Sequence, residues 1–476
     1  MNSSYNEWNK SHRDALVDIF GPDRISTDAG DLVIESRDVY PAGELWTRRG
    51  EVRHKADCVV WPKDADEVSA LLRFANEHCI PVVPYGGGSG VCGGAVPLSG
   101  GIVCDLKRMD RIRNIDDFSM SALIEAGMVG EIVERELNRR GYTIGHFPSS
   151  MYCSTVGGWI AARGAGQFST LYGKIEDMVL ALEAVLPDGS IIRSNDAPRE
   201  ATGPDIDQVL IGSEGTLAII TAATMKLHPL PETREYAAFV FPYITGGLEA
   251  MRLMMQREVI PSVARLYDEV DTKIALSKLN IPNEGCLLVL VFEGYRERVK
   301  WAMQEAWDIA MREGSKDLGP DPATQWEKGR YHISYRQSQV LVSPGSVLDT
   351  IETATVWSNV AELYFAVKDA LDPLCFVMAH FSHIYPEGAS IYFTCVAKAE
   401  DCEKDEDLYR KIWDTAMEAT IKCGATVSHH HGIGYHKAAY LERQLGPLME
   451  VYRRLKRDID PNNILNPGKM GLINNV

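Results

Sequence analysis

The stretch that decides the fold is PYGGGSGVCGG, residues 84–94, with six glycines in eleven positions. Glycine lets a backbone come close to a ligand and adopt positive φ. Successive N–H groups in such a turn form a concavity that binds anions. The loop runs straight out of IPVVP (Ile80–Pro84), a short strand pattern. Upstream, VVWP reads as a strand, and DADEVSALLRFANEH (Asp64–His78) as an amphipathic helix with an acidic start. Downstream, GGIVCDL (Gly100–Leu106) is strand-like, and MVGEIVERELNRRG (Met128–Gly141) reads as a helix ending at glycine. This alternation predicts an α/β domain over residues 51–230. Residues 1–50 read as a helical lead-in with a loop around Pro41-Ala42-Gly43.

The pattern changes beyond residue 230. Long amphipathic stretches, GGLEAMRLMMQRE and VKWAMQEAWDIAMREG, flank the strand CLLVLVFEG (Cys286–Gly294). LCFVMAHFSHIYPEGASIYFTCVAK reads as two strands around a Pro-Glu-Gly turn. Residues 231–440 are therefore expected to form an α+β substrate or cap domain. Residues 441–476, with a helix near Leu448–Asp458, form a tail closing on the first domain. The class expected for the whole chain is α+β with two domains.

Two further loops share the character of the first, STVGGWIAARGAG (Ser154–Gly166) and GSEGTLAII (Gly212–Ile220). None of the three matches a Walker loop or the GxGxxG fingerprint, so a large phosphate-bearing cofactor held in another way is expected. VVPYGGGSGVCGG, STVGGWIA, YGKIEDMVLALEAVLPDG and IGSEGTLAIIT resemble, in order, the FAD-binding domain of the vanillyl-alcohol oxidase/p-cresol methylhydroxylase superfamily. The resemblance implies FAD extended between the loops, with its pyrophosphate on the Gly86–Gly90 and Ser154–Gly158 backbones. It assigns cofactor contact to Pro84, Tyr85, Gly86, Gly87, Gly88, Ser89 and Gly90 in the first loop. In the second it assigns Ser154, Thr155, Gly157, Gly158 and Ile160, and in the third Glu214, Gly215 and Ile219. Cys153 stands where some relatives attach flavin through sulfur; with only Gly and Ser opposite it, a buried free thiol and non-covalent FAD are expected.

Further motifs narrow the resemblance. PSVARLYD, DTIETATVW, GASIYFT and SHHHGIG are similar to the branch of alkyldihydroxyacetonephosphate synthases and D-2-hydroxyacid dehydrogenases. Several members of that branch carry a metal-binding HxGDGNxH stretch followed by glutamate-histidine-glycine. Here those places read HFSHIYPEGASIY and HHHG, so His430 stands for the glutamate and Tyr392 for the second histidine. The alkyl synthases also have a phosphate-binding arginine about 14 residues before the ETATVW segment. Ser338 lies near that place in this chain, with Arg336 two residues away.

Oxidising an alcohol on a flavin requires a base for the hydroxyl proton, a group that fixes the substrate, and exclusion of water. Histidine suits the first role because much of it is neutral at pH 7. Tyrosine can relay a proton, and arginine grips an acid with two hydrogen bonds. His429, His430 and His431, Tyr392 and Arg265 are the candidates, and the resemblance assigns proton transfer to the first four and substrate contact to Arg265. In an extended segment His429 and His431 would share a face and His430 would point away. His380 and His383 form HxxH, but on a strand they would face opposite sides, so no metal site is expected. Trp159, Trp326 and Trp357 are read as packing residues, any of which could also flank the flavin.

Composition limits the rest. The chain has 476 residues and a net charge of −17, with no basic block, which argues against a nucleic-acid partner. No run of 18 apolar residues, export signal or CxxC appears, so a cytoplasmic enzyme with reduced thiols is expected. A homodimer is left open. The leading expectation is an FAD-dependent oxidoreductase passing a hydride from a small alcohol or 2-hydroxy acid to flavin N5. Oxygen, a quinone or a cytochrome then takes the electrons. The alternatives are a non-redox transferase like the alkyl synthases, and an electron-relaying subunit.

Overall fold

The computed structural model describes residues 5–277, 284–332, 340 and 343–472, so Arg336 and Ser338 lie outside the described residues. The first domain is built on two sheets. Cys58–Val60, Ile102–Asp105 and Val82–Tyr85 run parallel, and Ile25–Ser26 adds an antiparallel edge. Of the eleven side chains in these three parallel strands, all but the half-buried Pro84 are buried, and all but Asp105 have the apolar character expected of a sheet covered on both faces. A five-stranded antiparallel sheet follows, in the order Ile112–Asp116, Ser121–Glu125, Ile219–Lys226, Val179–Val185, Ile191–Arg193.

The Ala65–Glu77 helix covers the parallel sheet, burying Val68, Leu71, Leu72 and Ala75. Asp64 caps it by accepting from the Glu67 N–H, and acidic residues fill its first turn, where the helix dipole favours them. In the lead-in, the structure corrects the expected loop at Pro41-Ala42-Gly43: Pro41–Arg48 is a helix. Proline fits there because the first helical position needs no N–H donor.

The second domain is a seven-stranded antiparallel sheet in the order Lys316–Asp317, Thr233–Phe241, Cys286–Gly294, Val263–Tyr267, Phe376–Ile384, Gly388–Lys398, Ser346–Val356. The helices Ile244–Gln256, Arg296–Arg312, Trp357–Leu371 and Asp405–Lys422 contribute to its largest apolar core. The other face looks back toward the glycine loops. The tail helix Met449–Ile459 leads to residues that dock on the first domain. There the Val82 N–H donates to the Ile464 carbonyl (2.7 Å), and the buried Lys456 ammonium donates to the carbonyls of Thr216 (2.8 Å) and Leu465 (2.7 Å).

Candidate active site

A cavity of about 920 Å³ lies between the glycine loops and the open face of the seven-stranded sheet. Its volume is at the upper end of the roughly 300–1,000 Å³ usual for ligand sites. Pro84 through Gly90, Ser154, Thr155, Gly157, Gly158, Glu214, Gly215 and Ile219 all line it. So do Arg265, His380, His383, Tyr392, His430 and His431 from the second domain. Two candidates do not reach it. Ile160 is buried in the core of the first domain, because it lies on the inner side of the short Val156–Ala161 helix. His429 is turned aside, as described below.

The first loop is glycine-rich for two reasons, of which sequence reading supplied one. A Cβ at Gly87 would collide with the Cys153 carbonyl, and one at Gly88, where φ is +60°, with the Tyr85 hydroxyl. The loops must therefore be bare to pack on each other, before any ligand is considered. Cys153 itself is exposed rather than buried: its carbonyl faces Gly87, while its thiol bonds back to the Ser150 carbonyl (3.4 Å).

SHHHGIG is not extended, and this overturns the alternation expected for its rings. The segment bends around the buried carboxylate of Glu352, which projects from the Ser346–Val356 strand. Glu352 accepts the backbone N–H groups of His429, His430 (3.4 Å) and His431 (3.1 Å), the Ser428 hydroxyl (2.7 Å) and the Lys437 ammonium (2.6 Å). Three consecutive N–H groups turned toward one anion form a nest. One turn later Glu214 does the same for Ile433 (2.5 Å) and Gly434 (2.7 Å). Glu214 therefore spends its carboxylate on the histidine loop, although it also borders the cavity. The rings that result on the cavity side are His430 and His431. His429 instead meets the Tyr385 hydroxyl (2.8 Å) and His430 Nδ1 (2.9 Å).

A bulge overturns the second alternation argument. The register between Phe376–Ile384 and Gly388–Lys398 slips between Ser382 and Ile384, and His383 takes φ of +50°. A bulge re-aims side chains in this way. His383 thus lines the same cavity as His380, and its Nδ1 pairs with the Ser169 hydroxyl (2.6 Å). Among the described residues no group of three or more His, Cys, Asp or Glu side chains is placed to hold a metal.

Tyr392 is the hub of the ring cluster. Its ring stacks on His380 at 4.8 Å, lies 6.0 Å from His430 and meets His431 edge-on at 5.6 Å. Burial pushes its phenol up to about 12, so it is a proton donor at neutral pH. Burial also holds His431 down, to about 4, against the opposing pull of Glu352. His430 and His380 are lowered by burial too, the latter also by the Arg265 charge. The imidazoles facing the cavity are neutral bases.

Arg265 projects from the Val263–Tyr267 strand. Its Nη2 lies 3.2 Å from His380 Nδ1, its guanidinium packs 5.2 Å from the Tyr267 ring centre, and its Nε is buried with no partner. Asp271 stands nearby; burial raises its carboxyl to about 6, against the pull of Arg265. Further cavity residues escaped sequence reading. His146 is buried with both ring nitrogens unpaired and packs against Trp159 at 4.6 Å. Gln167 Oε1, Asp38 Oδ2 and Arg330 Nη1 are likewise buried without partners on the cavity wall. Asp38 lies in the expected helical lead-in, and nothing in its local pattern marks it. The GHF stretch before STVGG was the available signal for His146.

Comparison with known proteins agrees with this geometry. Residues 56–195 match the model of an FAD binding domain, and residues 230–470 that of the C-terminal domain of FAD linked oxidases. An alkyldihydroxyacetonephosphate synthase of Dictyostelium discoideum is 31% identical over 96% of this chain and 80% of its own length. The uncharacterized FAD-linked oxidoreductase YgcU of Escherichia coli K12 is 32% identical over 96% of this chain and 97% of its own. A solved alkyldihydroxyacetonephosphate synthase superimposes with a TM-score of 0.83 at 27% identity, covering 98% of this chain and 86% of that one. The bare loops, the large cavity and its unpaired polar atoms fit a cofactor of this size and polarity. The glycine loops would hold it through their N–H groups. The chain belongs to the FAD-linked oxidase family, with FAD as its cofactor.

Proposed function

We propose that the protein oxidises an alcohol that carries an acid group, a 2-hydroxy acid or a close analogue. The observation that carries this reading is Arg265: a guanidinium with an unpaired buried N–H, in the same cavity as a neutral histidine and a protonated tyrosine. Bound FAD supplies the acceptor for the hydride from the carbinol carbon. Arg265 holds the acid group and so fixes the orientation of that carbon. His431 takes the hydroxyl proton, and Tyr392 donates a hydrogen bond to the same oxygen. Burial of the cluster keeps water from competing for both groups.

The test is anaerobic addition of D-lactate, glycolate and D-2-hydroxyglutarate to the yellow holoenzyme. Loss of the visible flavin band with one of them is the expected result; a band unchanged by the whole panel counts against the reading. Readmitting air then distinguishes an oxidase, which recolours at once, from a dehydrogenase, which needs another acceptor. The identity to alkyldihydroxyacetonephosphate synthase across 96% of the chain favours a second reading, exchange of an acyl for an alkyl group without net redox change. Turnover of acyl-dihydroxyacetone phosphate with a fatty alcohol would establish it.

A further inference from the structure

We propose that Glu352 is the positioning residue of the site: its carboxylate latches the histidine loop and stabilises the charge His431 acquires when it takes the substrate proton. The second half rests on the oxidation reading above; the first does not.

Glu352 and Lys437 are both fully buried and pair at 2.6 Å. Lys437 also donates to the Ser428 hydroxyl (3.1 Å), so the pair clamps the loop from both ends. A carboxylate that accepts this many donors is held ionised, and Glu352 is brought down to about 2 by Lys437, His431 and the loop N–H groups, overcoming the burial that opposes it. An ordinary buried ion pair adds little net stability and is often replaceable by apolar residues. This one has a specific arrangement that such a replacement would lose.

The arrangement concerns His431. Its Nδ1 lies 3.7 Å from Glu352 Oε1. That is too long for a hydrogen bond, but an Nδ1–H there points its charge at a carboxylate. The opposite nitrogen is then the one left to receive a proton. The other groups around the loop push the other way or are neutral. Lys437 lowers the affinity of His431 for a proton. Lys174, from the first domain, binds the His429 carbonyl (2.8 Å) and disfavours charge on His429. Tyr392, His429 and His430 carry no charge at neutral pH. Among the described residues, Glu352 is the group whose charge makes an imidazolium at residue 431 easier to form. Without it, a histidine already weakened by burial would be a still poorer base.

The substrate O–H and carbinol C–H bonds break and a C=O bond forms between the same carbon and oxygen. His431 gains the hydroxyl proton, and bound FAD would take the hydride with its electron pair. Glu352 neither gains nor loses a proton.

Two measurements on holoenzyme test the proposal, using Glu352→Gln, Glu352→Asp and the double variant Glu352→Gln/Lys437→Met, which removes both buried charges if the single glutamine variant fails to fold. The first is hydrogen exchange of a peptide covering residues 427–436. In the glutamine variants exchange should accelerate tenfold or more while FAD stays bound; wild-type protection overturns the latch. The second is the limiting rate of anaerobic flavin reduction by whichever of the three hydroxy acids reduces the wild type. Expected are a tenfold or larger fall in that rate, a substrate Kd within threefold of wild type, and an acid limb of the pH profile moved to lower pH. Glu352→Asp should recover part of the rate. An unchanged rate and acid limb overturn the catalytic half. If none of the three acids reduces the wild type, the oxidation reading fails, and the exchange result still decides the latch.

Discussion

At Arg265 the unpaired Nε is the feature with a measurable consequence. A hydrogen bond to a charged group is worth about 1.5–3 kcal/mol. Arg265→Gln should therefore weaken binding of an acid substrate about 10- to 100-fold, with a smaller effect on the limiting rate of flavin reduction. Lysine should not restore binding, because it lacks the planar fork. Stopped-flow reduction over a range of substrate concentrations reads both quantities, and a change in rate alone would move Arg265 out of the anchoring role. His431→Ala should show the opposite split, a rate loss of about 100-fold or more with FAD and substrate still bound. Full activity in that variant would exclude His431 as the base. Arg265, Tyr392 and His431 were singled out in the sequence by residue chemistry and motif resemblance, and the structure brings them to one cavity. Glu352 and His146 were not legible there. Glu352 acts through a loop 76 or more positions downstream, and an orphaned imidazole such as His146 is recognisable only by what fails to surround it.

The elements that aim these side chains are irregular, and for that reason they misled a reading based on periodicity. Alternation assumes an extended chain. SHHHGIG wraps a carboxylate, and the strand bearing His380 and His383 contains a bulge. Regular elements were read closely: CLLVLVFEG is the strand Cys286–Gly294, and the acidic segment after Pro62 is the helix Ala65–Glu77. The glycine loops yield a prediction at this scale. Gly87→Ala would force a methyl group into the Cys153 carbonyl, which is backbone and cannot swing away. Overpacking of this kind costs about 1–3 kcal/mol. Because the two loops meet there, the loss should appear first as FAD content, measured as the ratio of flavin to protein absorbance after gel filtration. Full flavin content in this variant would show that the loops can separate without losing the cofactor.

At the scale of the whole molecule, the rings buried between and beside the domains tie stability to pH. Burial holds His146, His429 and His436 at about 3 and His431 at about 4. In the unfolded chain each takes a proton below pH about 6.5. The folded state cannot, so stability is full above that value and is lost as pH falls toward 4. Buried carboxyls oppose this in the same interval, Asp271 and Asp349 being raised to about 6 and Asp38 to about 7. The histidine share is therefore read as a difference: from neutral pH to about pH 5 the melting temperature of the wild-type holoenzyme should fall relative to that of His436→Gln. That is before the buried Glu352 contributes, since its stabilisation is complete above about 4.5 and disappears toward 2. A difference that does not change across that interval would contradict the neutral-histidine picture. Among the described residues no helix is long and apolar enough to cross a membrane. The sequence by itself determined the two-domain plan and the glycine loops, because motifs and periodicity are local properties. Only the tertiary structure decided which histidines face the cavity and what holds them there. Those outcomes depend on a carboxylate, a lysine and a bulge brought together from separate strands and loops, and no local pattern records that meeting.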